Sequence, residues 1–316
     1  MSVAFASTGD TAEKRITFSE VGEGLYAFTA EGDPNSGVIV GDESCMVVDA
    51  QATPRLARSV IERVRSVTDK PISHVLLTHY HAVRVLGASA YGAGAVIASA
   101  DARRMIVERG EEDWASEFGR FPRLFQGHEE IPGLTWPTLT FEGTLSVWLG
   151  QREVRIFQPG RGHTRGDAVA WVPDAEAMFT GDLVEHRSAC YCGDAHLQDW
   201  PETLDVIADF KPRAIVPGRG EALVGEALVN EALSGTRAFL EATFEPAALV
   251  AAKGGSLKEA FKAVRARMDG PFGDYAIYEH CLPFNVARAF DEARGIDHPR
   301  IWTAERDREM WAQLQG

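Results

Sequence analysis

The stretch Ser73-His74-Val75-Leu76-Leu77-Thr78-His79-Tyr80-His81-Ala82-Val83-Arg84 constrains the fold more than any other in the chain. Val75, Leu76 and Leu77 form a short apolar run of the kind that becomes a buried strand, and two histidines follow at once. Residues i and i+2 of extended backbone point to the same side, so the imidazoles of His79 and His81 can reach one point where the strand stops. Two converging imidazoles at a strand end are half of a metal site. A chain that uses them must bring other strand ends to the same edge.

Other apolar runs end in the same manner. Met46-Val47-Val48 stops at Asp49, and Val154 to Phe157 leads into Pro159-Gly160-Arg161-Gly162-His163-Thr164-Arg165-Gly166-Asp167, a glycine-rich turn with a histidine at its tip. Ala177 to Thr180 ends at Gly181-Asp182, and Ala214-Ile215-Val216 runs into Pro217-Gly218-Arg219-Gly220. Taken singly, each of these residues has a structural explanation: aspartate caps turns, and histidine is often satisfied in a core or on a surface. Their joint placement, each after an apolar strand and beside Gly or Thr, points to a metal. Three histidines, His79, His81 and His163, with the carboxylate of Asp182, suit zinc or iron.

Between these strands the pattern is mixed. Pro54 to Thr68 has helical spacing, Val96-Ile97-Ala98 is a short strand, and a polar helix is expected from about Ala100 to Arg109. Residues 110–137 hold Trp114, Phe118, Phe121, Phe125 and Trp136 without a clean period, as an insertion that covers a site or packs on the core. Beyond residue 222 the strand signals vanish. Helical composition runs from Leu223 to Glu241, from a capping box at Ser256-Leu257-Lys258-Glu259 to about Met268, and over 275–294 and 304–314. The expected division is a mixed α/β core over 1–222 and a helical extension over 223–316, which covers the pocket or forms a homodimer.

Charge narrows the partners. A net charge of −14 argues against nucleic acid and against anionic membranes, both of which need clustered Lys and Arg. No apolar run is long enough for a membrane span, and the first ten residues lack the pattern of a signal peptide, so a cytoplasmic location is expected. The four cysteines, Cys45, Cys190, Cys192 and Cys281, are too scattered for a disulfide framework, and Cys190-Tyr191-Cys192 lacks the partner pair of a metal clip. The expected partner is a small molecule.

The succession of motifs resembles the metallo-β-lactamase fold superfamily over roughly residues 20–222. That family carries T-H-x-H-x-D-H after a strand, then G-H-T-x-G-D, a strand ending G-D, and a last strand followed by G-H. The chain shows Thr78-His79-Tyr80-His81, Gly162-His163-Thr164-Arg165-Gly166-Asp167, Thr180-Gly181-Asp182 and Pro217-Gly218-Arg219-Gly220 in the same order. The resemblance implies an αββα sandwich of two mixed β-sheets flanked by helices, with the metal site at one edge. It also implies that His79, His81 and His163 hold the first metal, and that Asp49 accepts a hydrogen bond from a ligand histidine.

The departures are as informative. Where the family places the remaining ligands of a second metal, the chain has Val83, Arg84 and Arg219. Neither valine nor a protonated guanidinium can ligate. The expectation is therefore one divalent metal per chain, zinc or else iron, held by His79, His81, His163 and Asp182. Arg84 and Arg219 replace the charge of the missing cation, either by pairing with Asp182 and Asp49 or by holding a substrate oxyanion, with Arg161 and Arg165 adding to a basic pocket for an anionic substrate. The resulting function is hydrolysis of an ester, lactone, thioester or amide, with Asp182 orienting water or taking its proton. Two alternatives stay open: an iron-dependent sulfur dioxygenase-like enzyme, and a binding protein that has lost catalysis. His186 and His196 are candidate proton donors or solvated loop residues, as is His128, and His74 is structural.

Overall fold

A computed structural model describes residues 5–315. The first sheet is built from β1 (Thr17–Gly22), β2 (Leu25–Thr29), β3 (Ser36–Val40) and β4 (Cys45–Val48), which pair antiparallel in chain order. Helix α1 (Pro54–Val67) then crosses over to β5 (Ile72–Leu76), which lies parallel to β4. Its start is set by Thr53, whose hydroxyl accepts from the Leu56 N–H at 3.2 Å, and by Pro54 in the first turn, where a missing N–H costs nothing. The helical turn α2 (Ala82–Val85) follows the histidines, then β6 (Ala95–Ser99), the long α3 (Ala100–Arg120) and β7 (Leu139–Phe141), with β5, β6 and β7 parallel.

The second sheet contains β8 (Thr144–Leu149), β9 (Arg152–Phe157), β10 (Val169–Val172), β11 (Ala177–Gly181), β12 (Ala214–Pro217) and β13 (Leu223–Val224), with α4 (Trp200–Asp209) between β11 and β12. Its order runs β13-β12-β11-β10-β9-β8, antiparallel except for the β11–β12 pair. The two sheets face each other across Leu25, Ile39, Met46 and Leu76 on one side and Val154, Ile156, Ala170, Phe179 and Val216 on the other. They approach closely: a Cβ at Gly37 would lie 2.1 Å from the Phe179 ring. Val60 and Val64 of α1 cover the outer face of the first sheet over Val38, Val47 and Val75. This is the expected αββα sandwich, with a helical C-terminal region of α5 (Glu226–Ala252), α6 (Leu257–Phe272), α7 (Tyr278–Ala293) and α8 (Ala304–Gln315).

Two local expectations change. Helix α3 does not stop near Arg109 but runs on to Arg120. A glycine inside a helix costs only about 1 kcal/mol, and burial of Met105, Ile106, Asp113, Ser116 and Arg120 outweighs Gly110. Strand signal also persists past residue 222, where Leu223 pairs with Ile215. The C-terminal helices share one apolar cluster with the second sheet, in which Trp171, Met178 and Ile215 belong with Phe239, Val264 and Phe284. Among the described residues no helix is long and apolar enough to cross a membrane.

Parallel pairing fixes the functional edge. Val48 sits opposite Leu76, and Gly181 opposite Pro217, so Asp49, the histidine loop, Asp182 and Gly218 all leave their strands at one end. The Ala168 N–H donates to the Thr78 carbonyl at 2.8 Å, which ties the glycine-rich turn of the second sheet to the histidine loop of the first.

Candidate metal centre

His79, His81 and His163 are buried together, with their candidate ligand nitrogens within 4.8 Å of one another. Each imidazole is fixed at its far nitrogen. His163 Nδ1 donates to the Tyr191 carbonyl at 2.8 Å, leaving Nε2 turned inward. His81 is held from the other side, with Nε2 at 3.2 Å from Asp194 Oδ2 and Nδ1 facing inward at 2.9 Å from His163 Nε2. His79 Nδ1 meets the Thr78 hydroxyl at 2.9 Å, and its Nε2 is buried with no hydrogen-bond partner. Such an orphaned nitrogen, aimed at two further inward nitrogens, fits a metal ion, because buried polar atoms otherwise find partners.

The residues behind the histidines were mostly not expected. Asp194 is gripped by Arg109 at 2.9 Å, so a carboxylate from the loop after β11 and an arginine from α3 together orient His81. Asp49 does not bond a ligand histidine directly. It accepts from the Thr78 N–H at 2.9 Å and from the Thr78 hydroxyl, and Thr78 in turn meets His79. Thr78 carries one hydroxyl proton; donated to Asp49, it leaves the oxygen to accept from His79 Nδ1 and the Nε2 lone pair free. Burial raises the Asp49 carboxyl to about 6, with Arg84 and Thr78 opposing.

Asp182 completes the histidine side, its Oδ2 lying 3.6 Å from His163 Nε2 and 3.9 Å from His79 Nε2. Its other oxygen receives a short hydrogen bond from Arg84. A side chain on Gly218 would collide with that carboxylate, a Cβ lying 2.3 Å from Oδ1. Burial alone would raise the Asp182 carboxyl, but Arg84, then His79, His163 and Arg219, outweigh it and hold the group well below the usual carboxylate range. Burial pushes His163 down to about 3 and His79 well below its ordinary value. His81 also loses solvent, yet the acidic groups Asp113, Asp194 and Glu117 around it prevail and raise it to about 9.

The two arginines differ. Arg84 has no exposed surface, donates to the Asn35 and Gly218 carbonyls at 2.8 and 2.7 Å besides Asp182, and lies 3.9 Å from Asp49. It does not border the open cleft. Arg219 does, donating to the Gly32 carbonyl at 3.1 Å while its Nε has no partner. The cleft is tight, with only about 20 Å³ open to the centre of a water molecule, and is lined by His81, His163, Asp182 and Arg219 on the metal side and by Phe121, Leu124 and Ile277 among its walls.

Several expected contributors stand elsewhere. Arg161 pairs with Asp199 and Asp297, and Arg165 with Asp101, so neither joins a basic pocket. His196 is not solvated but buried, near Asp297, and His186 borders a separate cavity. His128 is an exposed residue against Phe118, and His74 bonds Ser73. Cys190 and Cys192 lie in the apolar cluster below the second sheet, and the histidine triad is the one metal-competent group among the described residues. Of the 110–137 segment, Phe121 reaches the cleft while Trp136 is exposed.

A family model described as the metallo-beta-lactamase superfamily matches residues 29–219. The chain is 26% identical over 203 residues to a type 2 metallo-beta-lactamase of Bacillus cereus, an alignment covering 62% of this chain and 71% of the relative. It is 29% identical over 119 residues to the type 2 enzyme of Bacteroides fragilis, covering 36% and 47%. Among solved structures, a metallo-beta-lactamase from Pontibacter korlensis superposes with a TM-score of 0.58 at 17% identity, over 72% of this chain and 99% of that one, a likeness of fold.

Proposed function

The chain belongs to the metallo-beta-lactamase superfamily, and from that premise we propose that it is a hydrolase working with one zinc ion at His79, His81 and His163. The observation that carries the reading is the asymmetry around Asp182. Three inward-facing nitrogens converge on one side of it, that of His79 with no partner, and a buried guanidinium is paired with it on the other. Bound at the histidines, the metal supplies Lewis acidity and a water activated near neutral pH.

The protein's own groups do the rest. Asp182 is ionised and held low by Arg84, which makes it a weak base, so its role is to orient the attacking water rather than to keep its proton. Arg84 balances the charge of Asp182, as a second cation does in a two-metal site. Arg219, with a free N–H at the cleft floor, stabilises negative charge developing on the substrate oxygen and favours substrates that carry an anionic group. The apolar walls fit the acyl part of a small ester, lactone, thioester or amide; the β-lactam of the named relatives is one cyclic amide of that class.

Zinc-loaded protein should turn over at least one member of a chromogenic panel of esters, thioesters, lactones and a cephalosporin, and His163→Ala should abolish the turnover. Iron retention with oxygen consumption and no hydrolysis would transfer the protein to the oxidative alternative. Stable zinc binding with no turnover of any panel member would leave a binding protein.

A further inference from the structure

Besides the metal-binding residues, the cleft is bordered by a histidine that no motif singles out. His280 lies in the first turn of α7, and its ring stands against Phe121 at 5.2 Å and Phe284 at 6.0 Å. The turn that carries it begins at Ile277, a β-branched residue in left-handed backbone (φ 57°), and the His280 N–H closes on the Ile277 carbonyl at 3.1 Å. Such a conformation is costly for isoleucine and persists only where the surroundings impose it. Here it sets the angle at which α7 brings His280 to the cleft.

The N-terminal turn Ala6–Gly9 decides which nitrogen of the ring is free. Ser7 is buried, and its hydroxyl stands between His280 Nδ1, in a short contact, and the Arg120 carbonyl, at 2.9 Å. That carbonyl ends α3 and has no partner within the helix. One hydroxyl proton cannot serve both neighbours. The Thr8 hydroxyl reaches the same carbonyl only at 3.4 Å, so the arrangement that gives every buried group a well-formed bond has Ser7 donate to the Arg120 carbonyl and accept from His280 Nδ1–H. Nε2 then carries the lone pair, and it has no hydrogen-bond partner among the described residues. Burial, with Arg120 and Arg219 nearby, keeps the imidazole neutral by holding its pKa well below the ordinary value.

We propose that His280 Nε2, locked as an acceptor by Ser7, is a substrate-positioning group that takes an O–H or N–H donor on the acyl portion of the substrate. Arg219 meets negative charge at the cleft floor and His280 meets a donor at its wall, with Phe121, Leu124 and Ile277 between them. The cleft therefore selects small carbonyl compounds with a hydroxyl or amide donor a few bonds from the scissile carbonyl. The substrate class rests on the hydrolase reading, whereas the tautomer rests on geometry alone.

Two measurements on the zinc-loaded full chain test it. The first compares kcat/KM for p-nitrophenyl 3-hydroxybutyrate and p-nitrophenyl butyrate. The hydroxy ester should be preferred about tenfold, the value of one hydrogen bond, and His280→Leu should bring the ratio to about one. A ratio unchanged in His280→Leu overturns the assignment. The second is two-bond proton–nitrogen NMR with nitrogen-15 histidine. It should find His280 protonated at Nδ1 only near neutral pH, with Ser7→Ala shifting the proton toward Nε2. An Nε2–H tautomer or an imidazolium in the unmodified protein contradicts the proposal. Should no member of the ester, thioester, lactone and cephalosporin panel be hydrolysed, the hydrolase reading fails, and the tautomer measurement still decides the role of His280.

Discussion

The two sides of Asp182 are built on opposite rules. On the histidine side, every imidazole is anchored at the nitrogen that points away, by Thr78, Asp194 or the Tyr191 carbonyl, while the inward nitrogens of His81 and His163 face only each other and that of His79 has no partner. On the arginine side the carboxylate is already paired: Arg84 is enclosed, and its amino groups reach Asp182, Asn35 and Gly218, with only its Nε lacking a partner. The difference teaches that an arginine at position 84 does more than fill a place where a ligand would otherwise stand. It puts a fixed positive charge beside the same carboxylate, so that the remaining half keeps its electrostatic surroundings.

The strongest way to break the comparison is to make the two sides alike. Val83→Asp, Arg84→His and Arg219→His together should raise metal content from one to two per chain, measured by elemental analysis. A triple variant that folds and still holds one would show that the arginines are not what closes the second position. Next in size, Arg84→Leu leaves the Asp182 carboxylate buried without its partner, and chemical denaturation should show a loss of about 3–5 kcal/mol. A loss below about 1 kcal/mol would mean that the pair contributes little. On the histidine side, Asp194→Asn should leave the fold intact and weaken zinc affinity about 10- to 100-fold in a chelator competition, because the group orients His81 without ligating. An effect of similar size is expected for Arg219→Leu. It borders open space and gives up one hydrogen bond, so stability should fall by about 1.5–3 kcal/mol, while KM should rise for anionic esters more than for neutral ones.

The histidine side was legible in the sequence because its parts are local. His79 and His81 share one strand end, His163 marks a glycine-rich turn, and Asp182 follows Gly181 directly, so strand periodicity and turn chemistry were enough. Periodicity gave a mixed α/β core, and the sandwich followed from the resemblance of these motifs to the metallo-β-lactamase fold superfamily. What holds the ligands in place was not legible. Asp194 acts on His81 across 113 positions of chain, and Ser7 on His280 across 273. No periodicity links residues that far apart, and such pairings exist only once α3, α7 and the N-terminal turn have packed. The same reason explains Arg84: a guanidinium three residues after His81 can face substrate or be enclosed, and only the placement of Asn35 and Gly218 encloses it. Helix α3 runs past Arg109 because burial of Asp113, Ser116 and Arg120 extends it through residues that lack a clean apolar period.

The central claim is that three histidines hold one metal while Arg84 stands in for a second. Native mass spectrometry of the zinc-saturated, unmodified protein tests it most directly. The account predicts a single zinc ion per chain that is lost in His163→Ala, whereas two tightly held zinc ions per chain would contradict it.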